Sequence, residues 1–262
     1  MFVYLELVKM AFLRRFMYRG DTLLQIVAFM LRLFIFISIW QALFQSGVIA
    51  ELSLVEMFSY LVLAELLNAL SDSRVGAKIS ESIGDGSVIV DFIRPLDFKL
   101  QHFASDLGEN LYRLIFNALP TCILVALVWG FKLPSSPLTV LLFLPSLILG
   151  VAISFHIDYL FALLTFWVQR SSHFDRVSKA LFMLFSGTTI PLWFYPDGLR
   201  EFALALPFSY ITFQPLSIYL EKHTPEQSLI IIAIQAGWLL ALVALSQWLW
   251  FRAQQHLTIN GG

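Results

Sequence analysis

The stretch from Ser71 to Arg113, SDSRVGAKISESIGDGSVIVDFIRPLDFKLQHFASDLGENLYR, is the one long polar segment of an otherwise greasy chain. Apolar runs of membrane length flank it on both sides, so it reads as a loop that leaves a bilayer and returns. Val75, Ile79 and Ile83 recur every four residues and predict one apolar stripe on a short helix, with Lys78, Glu81 and Asp85 off that stripe. Gly84 and Gly86 end the helix. Val88, Ile89, Val90, Phe92 and Ile93 then supply an apolar patch, Arg94 a charge and Pro95 a stop. Asp97 is placed to cap the helix that climbs back into the membrane. An apolar face outside the bilayer must be covered by lipid, by its own chain or by a partner, and the loop predicts a docking surface.

Outward from this loop, apolar windows predict six spans at about 22–44, 53–70, 110–131, 138–168, 177–195 and 228–251. Hydrophobic residues make up 58% of the 262 and charged residues 13%, against roughly 45–50% and 25% in soluble domains, which excludes an ordinary water-facing globule. Six spans leave no room for a separate catalytic domain. The near-neutral charge gives no reason to expect nucleic acid as a partner, and the single Cys122 allows neither an internal disulfide nor a cysteine-based metal cluster. The first run, beginning near Thr22, is too long for a signal-peptide core and reads as a retained helix. The fourth window would be about 46 Å long against a hydrocarbon core of roughly 30 Å, so it must tilt, protrude or break, with Pro145 and Gly150 as the candidate breaks.

Basic residues set the orientation. With both termini in the cytosol, the inner segments hold Lys9, Arg14, Arg15, Arg19, Arg74, Lys78, Arg94, Lys99, Arg113, Arg170, Arg176, Lys179 and Arg252, and the outer loops only Lys132, Arg200 and Lys222. Residues 1–21 mix arginines and aromatics, as expected of an interfacial helix.

Arg32, Glu65, His156 and Asp158 stand out among the polar residues inside predicted spans. Arg32 lies roughly 15 Å from the inner end of the first span and requires a partner, for which Glu65 and Asp158 are the candidates. His156 and Asp158 are two residues apart, on different faces of a helix, and make a poor metal pair. From Ser186 to Glu221 the chain is apolar but punctuated by Pro191, Pro196, Gly198, Pro207 and Pro215, which predicts short broken helices in an extracytoplasmic re-entrant region at 186–221. Trp193, Phe194, Tyr195, Phe202, Phe208, Tyr210 and Tyr219 are expected in an outer aromatic belt.

The ordered set ISESIGDGSVIVDFIRPLDF (79–98), SGTTIPLWFYP (186–196), LPFSYITFQPLSIYL (206–220) and TINGG (258–262) resembles the permease subunits of type-2 ABC exporters, in particular a bacterial subgroup of short six-span permeases. The resemblance implies an all-α membrane protein, one transmembrane permease domain over 1–262. It has six transmembrane helices, a cytoplasmic coupling helix in the loop at 71–109, and short re-entrant helices between spans 5 and 6. It further implies two ABC ATPase subunits and a second permease subunit as partners besides membrane lipid, in a bacterial inner membrane. ATP and Mg are expected on the ATPase, since this chain has no G-x-x-x-x-G-K-[ST] loop, and no cofactor or metal is expected on the chain itself. Val75, Ile79, Ile83, Asp85, Phe92 and Arg94 are the expected ATPase-coupling residues, and Arg32, Glu65, His156 and Asp158 the intramembrane pathway charges. Pro191, Trp193, Phe194, Pro196 and Pro207 are the expected exit gate. A competing expectation is a secondary transporter driven by protons or sodium, with Glu65, His156 or Asp158 as the titrating site. A membrane enzyme is the third, without a catalytic signature such as H-E-x-x-H or G-x-S-x-G to support it.

Overall fold

The computed structural model describes residues 2–17, 19–46, 53–167 and 172–255, and these are helices joined by short connections. Tyr18, Arg170, His256 and the TINGG tail, together with the side chains of Arg19 and His173, lie outside the described residues. Helix α1 is Phe2–Arg15, α2 Arg19–Gln45 and α3 Leu54–Ser71; α4 (Val75–Gly84) and α5 (Val88–Ile93) occupy the polar loop. Then α6 (Phe98–Arg113) runs through a π-helical turn, Leu114–Ala118, into α7 (Leu119–Trp129). Pro120 has no amide to offer the carbonyl of Phe116, and the wide turn accommodates that missing bond. Helix α8 is Pro137–Leu164 and α9 Ser172–Phe185. A 3₁₀ turn at Leu192–Phe194, α10 (Asp197–Ala205), a second 3₁₀ turn at Pro207–Tyr210 and α11 (Phe213–Tyr219) lead to the long α12, Pro225–Gln255.

Among the described residues, five helical stretches are long and apolar enough to cross a membrane: Leu24–Gln45, Leu54–Gly84, Phe98–Trp129, Pro137–Leu164 and Pro225–Gln255. Their outer faces carry Leu31, Phe34, Leu127, Leu141, Ile148, Leu240 and Phe251, all exposed, an apolar surface that only lipid or another membrane subunit can cover. The protein is therefore a multi-pass membrane protein. The fifth predicted window, 177–195, is not one long helix. Helix α9 has 14 residues, about 21 Å of rise, and stops at Phe185. Gly187 follows with φ +78°, and the Tyr60 hydroxyl donates to its carbonyl at 2.7 Å, so the backbone turns into the core there.

Helix α8 does not break at Pro145 or Gly150. Gly150 is instead a notch in which the turn before α11 rests, since a Cβ there would lie 2.8 Å from the Ile211 carbonyl oxygen and 3.1 Å from that of Tyr210. Gln235 of α12, fully buried, ties the same three pieces together. Its amide NH₂ donates to the carbonyls of Ser146 (3.1 Å) and Tyr210 (2.8 Å), and its oxygen accepts from the Ser146 hydroxyl (2.8 Å). Interhelical polar pairs of this kind are the glue of membrane bundles.

The bundle has two chemically distinct ends. At one, α1 lies across α6 at Gly108, where a Cβ would stand 2.2 Å from the Val8 carbonyl oxygen, while Arg14 and Arg15 donate to the two oxygens of Glu109 at 2.6 and 2.9 Å. The outward side of α1 exposes Phe2, Leu5, Met10 and Leu13. At the other end Glu56, which closes a capping box with Ser53, receives Lys132 at 2.8 Å and Lys222 at 3.3 Å. Glu221, just before α12, binds Ser135 and Thr139 at the start of α8. Trp250, near the end of α12, stacks on Phe98 at the start of α6. The starts of α3, α8 and α12 thus share one end, and the loop helices α4 and α5 sit at the opposite one.

Candidate functional site

The polar loop folds as the stripe spacing requires, but the stripe turns inward. Val75 and Ile79 are fully buried against Phe155, Tyr159, Ala162 and Leu163 of α8, and Ile83 is half-buried in the same cluster. The first amides around α4 are captured by carboxylates from other helices: Arg74 N donates to Asp106 at 3.1 Å and Gly76 N to Asp158 at 2.8 Å. Negative charge at a helix start is stabilising, and here it comes from α6 and α8. Gly76 leaves room for this contact, since a Cβ would sit 3.2 Å from an Asp158 oxygen. The coupling helix of the sequence reading is therefore fastened to the lower end of α8.

Asp97 does cap α6, accepting from Leu100 N at 2.8 Å. Phe92 also points inward, in a stack with Phe98 (5.3 Å between centroids) and Trp250 (5.8 Å), so α5 is pinned to the ends of α6 and α12. With Phe92 sealed, the outward face of α5 consists of Ile89, Val90 and Ile93, exposed by 48, 52 and 76%. Sequence reasoning grouped these with Phe92 as one patch and singled out only Phe92. The signal that separates them is helical spacing, which gathers positions 89, 90 and 93 in one arc of about 100° and turns 92 to its side, next to the buried Val88. Arg94, bonded to Asp91 at 3.2 Å, follows Ile93 at the edge of the patch, and Asp85 is exposed in the turn before α5. The Asp85 carboxylate accepts from Ser87 N at 2.8 Å, and hydrogen bonds from Ser87 hold its pKa below the usual carboxylate range.

The intramembrane charges separate into three places. Arg32 and Glu65 form a two-point pair, Nε to Oε1 at 2.6 Å and Nη2 to Oε2 at 2.7 Å, joining α2 to α3. Asp158 does not take part; it serves the Gly76 amide instead. His156 faces elsewhere, its Nδ1 2.8 Å from the Ala152 carbonyl of its own helix.

The expected gate residues surround the turn that follows α9. Trp193 packs edge-on against Tyr60 (5.6 Å) and Phe213 (4.8 Å), and Phe194 lies tilted against Trp40 (4.8 Å). Pro191 is buried, Pro207 half-buried and Pro196 exposed. Phe208, Tyr210 and Tyr219 are core residues, not members of an outer belt, because the short helices fold back into the bundle; Phe202 alone of the named aromatics is strongly exposed.

A family model described as ABC-2 family transporter protein matches residues 22–261, and the chain belongs to that family. It is a membrane-spanning permease component of an ABC transporter. No curated protein matches it.

Proposed function

We propose that this chain is the permease subunit of an ATP-driven exporter, forming half of the pathway beside a second permease subunit and receiving its energy from a separate ABC ATPase that holds ATP and Mg. The observation that supports this most directly is the exposed patch Ile89, Val90 and Ile93, held rigid by the Phe92 stack at the end of the bundle where the basic residues gather. An ordered apolar patch with a charged rim is a surface for a protein partner. In this reading the patch makes the contact, and Val75, Ile79 and Asp158 pass displacement of α4 to α8. The positive charges gathered at that end support a cytosolic orientation for it, and the family resemblance is what suggests a bacterial inner membrane. Because α8 ends there and α12 starts at the opposite end, the chain crosses once in between. We assign that fifth of six crossings to α9 together with the broken pieces up to α11, which puts both termini inside and the gate residues at the outer mouth. The ion-coupled alternative is disfavoured because Glu65 is spent on Arg32 and Asp158 on a backbone amide.

The test is copurification and reconstitution with the ABC ATPase from the neighbouring genes. Transport is expected to require ATP and to ignore an imposed ion gradient. Ile93→Asp is expected to insert normally, to lose copurification with the ATPase and to reduce transport at least tenfold. Gradient-driven transport without nucleotide, or unimpaired transport by the variant, refutes the assignment.

A further inference from the structure

Between α2, α3 and the π-turn lies a cavity of about 390 Å³ that no step above uses. Arg32, Asn68, Arg74, Arg113 and Asn117 line it, and Phe29 supplies an apolar side. Three guanidiniums gather here around Glu65 and Asp72, with Asp106 behind Arg113. Arg32 is paired with Glu65, Arg113 with Asp72, and Arg74 approaches the same Asp72 only to 3.8 Å. Arg74 is thus the most loosely paired of the three, in a niche that opens between α2 and the π-turn, where Ala28 and Ile115 are exposed.

Two polar groups in the niche lack partners. Arg113 is 8% exposed, and its Nη groups are engaged by Asp72 and Asn110, yet its Nε has no acceptor. Asn117 is 5% exposed; its NH₂ donates to Gln25 at 2.9 Å, and its oxygen has no donor. A buried donor and a buried acceptor without partners mark a place where a polar ligand belongs. The π-turn is what brings Asn117 to this wall, and such turns recur at functional positions in helices. The niche also has depth. Asp72, Arg74 and Arg113 lie at the end of α3, while Arg32 and Glu65 are about 10 Å further into the apolar layer, seven residues up the same helix.

We propose that this niche binds the phosphodiester headgroup of an anionic phospholipid, drawn from the leaflet on which α4 and α5 lie. The phosphate meets Arg74 and the Arg113 Nε, a headgroup hydroxyl donates to the Asn117 oxygen, and the acyl chains leave along Phe29 and the exposed face of α2. Basic niches between transmembrane helices recognise lipid headgroups through this combination of charge and adjoining hydrocarbon.

The test is lipid retention by the purified chain in nanodiscs of phosphatidylcholine doped with phosphatidylglycerol, read by native mass spectrometry and by immobilisation of a spin-labelled phosphatidylglycerol. Wild type is expected to retain phosphatidylglycerol over phosphatidylcholine. Arg74→Gln, which removes the least engaged charge, is expected to weaken that preference about fivefold. Asn117→Leu keeps every ion pair and is expected to weaken it by a similar factor, so misfolding of either variant leaves the other decisive. Lys9→Gln, on exposed α1, controls for general surface charge and is expected to change nothing. Equal retention of the two lipids, equal loss in the Lys9 variant, or saturation of the site by inorganic phosphate without any lipid preference overturns the proposal. None of these readings depends on transport.

Discussion

Glu221 is the described non-glycine residue with positive φ, at +60°, and it stands where helix α11 stops. Lys222 N donates to Ser217 O and Glu221 N to Ile218 O, both at 3.0 Å, the bond pair of a helix terminus whose left-handed position usually falls to glycine. The side chain explains the exception: one carboxylate oxygen accepts from Ser135 N (2.8 Å), the Ser135 hydroxyl (2.6 Å) and the Thr139 hydroxyl (3.0 Å). These bonds, led by that from the Ser135 hydroxyl, hold the Glu221 carboxyl below its ordinary range. Burial lowers His223, whose ring nitrogen is 3.0 Å from the Ser217 hydroxyl. Both folded values are depressed, so each group contributes stability that is present above its unfolded value, roughly 6.5 for histidine and 4.3 for glutamate, and is lost as pH falls through the folded one. The melting temperature in detergent is expected to fall on acidification from pH 7 to well below 4, the glutamate share being lost only below about 4.3. Glu221→Gln is expected to flatten the lower part of that profile and His223→Gln the upper part; parallel profiles for all three proteins would contradict this. At this scale the sequence was partly legible. Asp97 announces its cap, and the need of Arg32 for a partner follows from its depth. The choice of Glu65 over Asp158 was not legible, because nothing local says that Asp158 is consumed by a glycine amide 82 residues away.

The short helices show where periodicity stops informing. Spacing alone placed Val75, Ile79 and Ile83 on one stripe, and they are on one, but a stripe does not say what covers it. Phe155 and Tyr159, which seal it, lie on α8. Gly150 presents the same difficulty in reverse, since a glycine that looks like a break along the chain is a contact across it. The window at 177–195 stayed apolar through Gly187, and the backbone is turned there by contacts from far along the chain, from Tyr60, 127 residues away, and from the Phe213 amide. Helix α1 offers a direct check on element packing. Gly108 has no space for a methyl group beneath Val8, so Gly108→Ala is expected to lift α1 from α6 and break the pairs of Arg14 and Arg15 with Glu109. A cysteine introduced at Ala11, buried in the parent protein, is then expected to become reactive towards a water-soluble maleimide at least tenfold faster. Unchanged protection would mean that α1 is held by other contacts.

Across the whole molecule, hydropathy and charge revealed the class and the end-to-end asymmetry, because both are set by the bilayer and not by individual contacts. The internal linkage was hidden. It runs from α4 through the Asp158–Gly76 contact into α8, and from α8 through Gln235 into α12 and the turn before α11. Gln235→Leu keeps the apolar character of the interface and removes all three bonds. It is expected to lower stability by about 1 kcal/mol, and to leave ATPase association intact while transport per ATP hydrolysed falls severalfold. Measurement of both rates in the same proteoliposomes checks this, and proportional loss of the two would point to simple misfolding instead.

The notch at Gly150 limits what kind of stroke such a linkage can carry. A piston-like slip of α8 by one turn, about 5.4 Å, would bring the side chains of Leu147 or Ile153 towards carbonyls that leave no clearance even for a methyl group. Helix α8 can therefore tilt or swing only together with the pieces seated against its middle, like a rigid lever, and in the proposed reading a push on α4 would reach them without any sliding between them.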